Sequence, residues 1–406
     1  MKKFQNGFIC GALSCATMIL VLTLVLQMTG HIDLAALSVK SNEELSEQQR
    51  IERKAGIIKG YVDKYYLEDI DTEQLEESIY KGIVGGLGDE YAAYYSADEY
   101  ADIMEKTTGT FCGIGAYVAQ DPTTGTISIV TPMKNSPAEK AGLQAGDIVY
   151  AVDDIRVSGK DLSSVSAMMK GEEGTKVTLT VIRSEQKGYL NIVVTRAEIE
   201  DDTVAYQMLE NGIGYIQVTG FEEVTIQQFS DALEDLEKQN MKALLLDLRD
   251  NGGGLLKTAV AMLDRMLPEG LVVYTEDSQG VSDKYYAEDA IQVTVPVAIL
   301  VNGNSASASE VFSGAMQDKG KAVLVGTKTF GKGIVQTIFD LKDGSALKMT
   351  TSKYFTPKGR NIHGEGLQPD ITVELDRDSL NQKDKDGNIK PDNQMEKAIE
   401  YLEGEM

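Results

Sequence analysis

The sequence predicts a multidomain chain of mixed α/β and α+β architecture: an N-terminal transmembrane helix, a helical arm, a small α+β module and a larger α/β core. Three observations carry this. A charge-free apolar stretch opens the chain, the hydrophobic period shifts from helical to strand-like near residue 108, and strands alternate with helices from residue 199. With 406 residues, 42% of them apolar and 25% charged, the chain holds material for two or three globular units, and disorder is not its default state. The net charge of -24, from 63 acidic and 39 basic side chains, repels phosphate backbones, which sets nucleic acid aside as a partner.

The apolar stretch runs from about Gly7 to Met28, behind Met1, Lys2 and Lys3. It has the roughly 20 apolar residues that a membrane-spanning helix needs. A cleavable signal peptide would have a shorter core ending in an A-x-A-like site, and none is clear before His31. An uncleaved, single-pass anchor over residues 1–30 is therefore favoured. Lysines at the extreme N-terminus keep that end in the cytoplasm, placing the remainder on the extracytoplasmic side of the cell membrane. Cys10 and Cys15 lie within the stretch, leaving Cys112 alone beyond it, so no disulfide forms within the rest of the chain. The string Ala12-Leu13-Ser14-Cys15 is faintly like a lipid-attachment site, but the apolar run continues past the cysteine and lipidation is not expected.

Residues 31–97 read as helical. Leu75, Ile79, Ile83 and Leu87 recur at four-residue steps between Glu73 and Leu87, the pattern of a packing or dimerisation arm that admits a homodimer. Residues 98–198 form the α+β module, with strands expected at Ile127–Thr131, Ile148–Val152, Val177–Ile182 and Leu190–Val194. A short helix lies between the first two, with Ser136 as N-cap, Pro137 in the first turn and Gly142 past its end. A second begins after Asp161 and carries Leu162, Val165 and Met169 on one face.

Residues 199–375 form the α/β core, with strands at Gly214–Val218, Ala243–Leu248 and Val297–Val301 and helices near Ile226–Lys238 and Leu255–Leu267. Residues 376–406 are expected to be a polar tail, charged and solvated from Asp376 to Asp392.

The sequence contains two histidines, and His31 lies beside the apolar stretch. A Ser-His-Asp mechanism would rest on His363 alone, and a zinc site built from histidine pairs is excluded. The chemistry falls to Ser, Lys, Asp, Glu or the main chain, and no metal or cofactor is called for.

Three loops qualify. Asp247-Leu248-Arg249-Asp250-Asn251-Gly252-Gly253-Gly254 places three consecutive glycines before a helix, an entropic cost that makes sense where main-chain N–H groups must approach a ligand or oxyanion. A plain tight turn usually needs fewer special residues. Asn302-Gly303-Asn304-Ser305-Ala306-Ser307-Ala308-Ser309-Glu310 sets serines at a helix N-terminus, where the dipole favours developing negative charge. One of them could be a simple N-cap, and spacing does not choose among the three. Thr329-Phe330-Gly331-Lys332-Gly333 aims a lysine from between two glycines. A lysine acts as base only where burial or neighbours bring its pKa from about 10.4 toward 7 or 8; most are simply solvated.

The strings DLRDNGGG, SASASE and TFGKGIVQ, in this order behind a GIG-containing module, resemble the C-terminal processing peptidases, or tail-specific proteases, over roughly residues 45–375. The resemblance implies that Ser307 is the nucleophile, Lys332 its base and Gln336 a third catalytic residue. On a strand, residues 332, 334 and 336 would face one way, so that Gln336 holds the Lys332 amine. The implied mechanism forms an acyl-enzyme on Ser307, with the N–H groups of Gly253 and Ala308 as candidate oxyanion donors.

The α+β module looks like a PDZ domain, with Phe111-Cys112-Gly113-Ile114-Gly115 as its carboxylate-receiving loop. A substrate tail would add as a strand beside Gly115–Val118, its apolar side chains in a pocket lined by Val165 and Met169, unless those two are ordinary core. The family often has arginine where Lys170 stands. Together these features imply a serine endopeptidase that cleaves exported or membrane-associated proteins near C-termini captured by the PDZ domain. The alternatives are an inactive PDZ scaffold that binds protein C-termini and a histidine-dependent esterase using His363.

Overall fold

The computed structural model of the protein describes residues 45–184, 186–288, 293–379 and 391–406. The apolar stretch Gly7–Met28 lies outside the described residues; among those described, no helix is long and apolar enough to cross a membrane. The chain divides into two compact units at Ser78.

In the first unit the helix Glu47–Tyr65 starts at a Ser46/Gln49 capping box, and none of its residues is buried. The helix Thr72–Gly85 ends where the sequence turns to glycine. Of its expected apolar stripe, Ile79 and Ile83, with Leu87 just beyond the helix, are exposed, and Val84 is the buried position. The helical expectation for residues 31–97 is corrected at its end: Ala93–Tyr95 is a strand, pairing antiparallel with Ala346–Lys348 of the core. Tyrosines in a short run fit a pleated, half-buried surface better than a helix.

The α+β module folds as expected from its turn signals. Its main sheet runs Ala116–Gln120, Ile127–Pro132, Ile148–Val152, Lys176–Ile182, Leu190–Thr195, all antiparallel. Alternation along Lys176–Ile182 buries Val177, Leu179 and Val181 against Ile127, Ile129 and Val165. Ser136 accepts the N–H of Glu139 and Gly142 closes the short helix in the left-handed region, as its sequence predicts.

The core is a six-stranded sheet ordered Val204–Met208, Ile213–Val218, Ala243–Asp247, Val297–Val301, Val323–Gly326, Ile371–Thr372, parallel except for its first pair. Both faces are covered, so Ala243–Asp247 and Val297–Val301 are buried throughout. Leu244, Leu246, Ile299 and Val301 face the layer containing Phe229, Leu263 and Phe312 from the helices Glu223–Lys238, Leu256–Met266 and Ala308–Asp318. Leu245, Ala298 and Leu300 face the other way, onto Ala398 and Leu402.

Those last two residues correct the expectation of a polar tail over 376–406. Asn393–Glu405 is a helix, capped by Asp392, that closes the second face of the sheet. Its apolar positions are few, and their burial depends on a sheet face distant in sequence. Arg249 ties the helix to the end of the central strand, donating to Asp392 Oδ2 (2.8 Å), Gln394 Oε1 (2.9 Å) and the Asp247 carboxylate. Truncation after residue 390 is expected to cost the core about 3 kcal/mol, through bared apolar surface and the loss of a partner for half-buried Arg249. The urea midpoint measures this, and an unchanged midpoint would mean the helix contributes nothing. The sequence also did not signal a second, antiparallel five-stranded sheet built from Ala93–Tyr95, Gly270–Asp277, Gly280–Ala287, Ile334–Asp340 and Ala346–Phe355.

Candidate active site

Three neighbouring parallel strands end side by side at Asp247, Val301 and Gly326, and the three candidate loops follow them. Strand adjacency therefore gathers segments some eighty residues apart in sequence at one sheet edge, where open α/β sheets place their ligands. Side chains and main chain lace the loops together. Asp250 Oδ1 accepts Asn302 Nδ2 (3.0 Å) and Asn304 Nδ2 (2.8 Å). The N–H of Ala306 donates to the carbonyl of Asn251, and that of Phe330 to the carbonyl of Ser305.

The three serines have different surroundings. Ser305 is buried and its Oγ donates to the Leu248 carbonyl (2.7 Å); Ser309 is buried and its Oγ donates to the Asn251 carbonyl (2.9 Å). Both are structural pins. Ser307 is half-buried, and its Oγ donates to no main-chain carbonyl among the described residues. It opens the helix Ala308–Asp318 with φ 55° and ψ -115°, a combination that costs a non-glycine residue about 1–3 kcal/mol and clusters at functional sites. Gly253 makes room for it: a Cβ there would stand 2.8 Å from Ser307 Cβ and 2.7 Å from the Ala306 carbonyl oxygen.

Ser307 lines a cleft of about 360 Å³ together with Gly254, Ala308, Gln336, Lys348 and Tyr354. Lys332 is half-buried, with Nζ 4.6 Å from the centroid of the Tyr91 ring and no hydrogen bond or ion pair among the described residues. Burial holds the Lys332 amine below the ordinary lysine value; repulsion from Lys348 acts in the same sense, and the charges of Asp89 and Glu90 act against both. Tyr91 is set there by Asp89, whose carboxylate accepts the N–H groups of Tyr91 (2.9 Å) and Thr350 (3.3 Å).

Two expectations meet a different geometry. Gln336 lines the cleft, but its Nε2 is buried without a partner and it does not bond the Lys332 amine. The strand begins only at Ile334, so period-two alternation does not reach back to Lys332, and the partner strand bulges beside Gln336. The N–H of Gly253 is not free: it donates to Asn251 Oδ1 at 2.8 Å. Gly254 and Ala308 line the cleft, and their N–H groups donate to nothing among the described residues. His363 is exposed and not part of the cleft lining; its backbone backs Gly333.

In the α+β module, a second cavity of about 360 Å³ is lined by Phe111, Gly113, Ile114, Gly115 and Met169. Val165, expected beside them, is fully buried within the module's own core, where its position one turn before Met169 directs it inward. Ser166 takes its place in the lining. Ala116–Gln120 pairs on one side only, leaving its other edge open beside the helix Leu162–Met169. Lys170 pairs with Glu105 and lies 5.9 Å from the Phe111 ring centroid. Lys106 and Glu222 line both this cavity and the Ser307 cleft.

Sequence reasoning missed Glu310, Tyr354, Tyr91 and Lys348. Only Glu310 carried a signal, standing three residues after Ser307 where a helix-capping carboxylate belongs.

Residues 212–373 match peptidase family S41, and residues 128–183 match a PDZ domain. A probable CtpA-like serine protease of Staphylococcus epidermidis is 37% identical over 388 residues, covering 92% of this chain and 78% of that one. The carboxy-terminal processing protease CtpA of Bacillus subtilis is 36% identical over 76% of this chain and 66% of its own length. A carboxyl-terminal-processing protease of Synechocystis is 33% identical over 77% and 74% respectively.

Proposed function

The chain belongs to peptidase family S41 and carries a PDZ domain, which makes it a serine-type peptidase of the C-terminal processing kind; from that premise we propose an endopeptidase acting on exported or membrane-associated proteins near their C-termini, with Ser307 as nucleophile and Lys332 as base. The observation that carries this reading is the strained backbone of Ser307, which lines a cleft while Ser305 and Ser309 are pinned.

The chemistry follows from the groups present. Neutral Lys332 takes the Ser307 hydroxyl proton as Oγ attacks the peptide carbonyl, and the ammonium then protonates the leaving amine. Neutral Lys332 then takes a proton from the water that attacks the acyl-enzyme ester and passes it to Ser307 Oγ as that oxygen leaves, restoring the serine hydroxyl and the neutral amine. The unengaged N–H groups of Ala308 and Gly254 are the oxyanion donors best supported by the hydrogen-bond pattern. Because the amine rests over Tyr91, its side chain rotates toward Ser307 before proton transfer. The buried, unpaired Nε2 of Gln336 in the cleft lining supports a role for that side chain in holding the substrate.

The glycine loop and open strand edge of the PDZ domain support capture of a substrate tail by its carboxylate. Lys106 and Glu222, common to both cavities, support coupling between that capture and cleavage. The charge-free stretch behind Lys2 and Lys3 supports a single membrane anchor with the protease on the outer face.

A fluorophosphonate probe is expected to label Ser307 alone; labelling at another serine, or none, would remove the Ser-Lys reading, and the latter would favour the inactive scaffold. For a peptide with an apolar free C-terminus, amidation of that terminus is expected to raise KM about tenfold, the loss of a charge-assisted hydrogen bond. Equal KM for the two peptides would argue against carboxylate capture.

A further inference from the structure

The main chains of Ser307 and Lys332 are gripped twice by the same two side chains. Glu310 is fully buried, and the four donors on its carboxylate are all uncharged. Its Oε2 accepts the N–H of Ser307 at 3.0 Å and that of Lys332 at 2.8 Å. Its Oε1 accepts the Thr329 hydroxyl at 2.6 Å and the Gly331 N–H at 2.8 Å. In the peptide unit that follows each of these two residues, the Tyr354 hydroxyl meets the carbonyl oxygen of Ser307 at 3.0 Å and also that of Lys332. Burial, and the nearby Glu310 charge, keep the Tyr354 hydroxyl protonated, so it is always a donor.

We propose, on the reading of Ser307 and Lys332 given above, that Glu310 and Tyr354 are positioning residues that fix the separation of the two main chains and so set the reach of the base to the nucleophile. Neither touches the reacting atoms. A capping role alone would need only the Ser307 N–H, whereas three of the four bonds to Glu310 come from the lysine loop. A buried carboxylate without a cation is costly, and here four donors offset that cost. The grip also holds Ser307 in its unfavourable backbone conformation, which needs such over-determination to persist.

Glutamine cannot take over this role. Each carboxylate oxygen serves two donors, and an amide has only one accepting atom. Turned one way, its NH2 faces the N–H groups of Ser307 and Lys332; turned the other way, it faces that of Gly331 and a Thr329 hydroxyl that already accepts from Leu367. The first orientation frees both Ser307 and Lys332 from residue 310, and the second breaks two of the three bonds that hold the lysine loop.

The test compares the full chain with Glu310→Gln, Tyr354→Phe, the double variant and Ser307→Ala, measuring fluorophosphonate labelling, kcat, KM and thermal unfolding. Glu310→Gln is expected to lower kcat and labelling about a hundredfold, the effect of displacing reactive groups by about 1 Å, with KM within about twofold. Tyr354→Phe fills the same space and is expected to lose about tenfold in kcat, and the double variant less than the product of the two, because both side chains hold the same two residues. Wild-type kcat per folded molecule in Glu310→Gln, or a loss carried by KM, would overturn the proposal. If Glu310→Gln fails to fold, Tyr354→Phe decides alone, and an unchanged kcat there overturns it. Cleavage by Ser307→Ala at the parent rate would instead remove the Ser-Lys reading, and this inference with it.

Discussion

Ser307→Ala is expected to abolish peptide cleavage, lowering kcat by about 10⁴-fold or more, since the acyl acceptor itself is removed and only binding and oxyanion contacts are left. The informative comparison is with its two neighbours. Ser305→Ala and Ser309→Ala each remove a buried hydrogen bond to a main-chain carbonyl and are expected to cost about 1–3 kcal/mol of stability while the folded fraction still turns over. His363→Ala is expected to cleave normally, because that side chain is exposed and outside the cleft. A kinetic hierarchy in which Ser305 or Ser309 proved indispensable and Ser307 did not would reverse the assignment.

Replacing Lys332 is the second large effect expected. Lys332→Ala and Lys332→Arg are both expected to lose about 10³-fold or more in kcat, because a guanidinium keeps its proton and cannot act as base. Arginine retaining activity would show that only the positive charge at this position matters. The reacting form is the neutral amine, so kcat/KM is expected to rise with pH, along a limb below the ordinary lysine value of 10.5. Burial comes first among the causes, then Lys348. Lys348→Met, which removes a repelling charge, stabilises the ammonium and is expected to move the limb to higher pH. Asp89→Asn removes an attracting charge and is expected to move it to lower pH. Opposite displacements in the two variants are the signature of an ionisation at Lys332; a limb that stays fixed in both would assign it to another group.

Much of the local structure was legible beforehand for a definite physical reason. Ser136, Pro137 and Gly142 bound a helix through main-chain preferences that operate over a few residues, and the helix is found where they place it. Val297–Val301 reads as a buried strand because both of its faces are apolar. The C-terminal helix was hidden because Ala398 and Leu402 are meagre apolar signals until the sheet face that covers them is known. Val165 and Met169 share a helical stripe, yet one enters the core and the other also borders the groove, a difference of side-chain direction that spacing does not encode.

By itself the sequence singled out the three candidate loops, since runs of glycine and a lysine between glycines tolerate backbone that other residues resist. It also determined the family resemblance and the order of the segments. The tertiary structure alone decided which serine is strained and unpinned, that the Gly253 N–H is already engaged, that the Lys332 amine lies over Tyr91, and that Glu310 and Tyr354 hold both loops. Each of these depends on atoms brought together by the pairing of Ala243–Asp247, Val297–Val301 and Val323–Gly326, and local preference contains no information about such through-space neighbours.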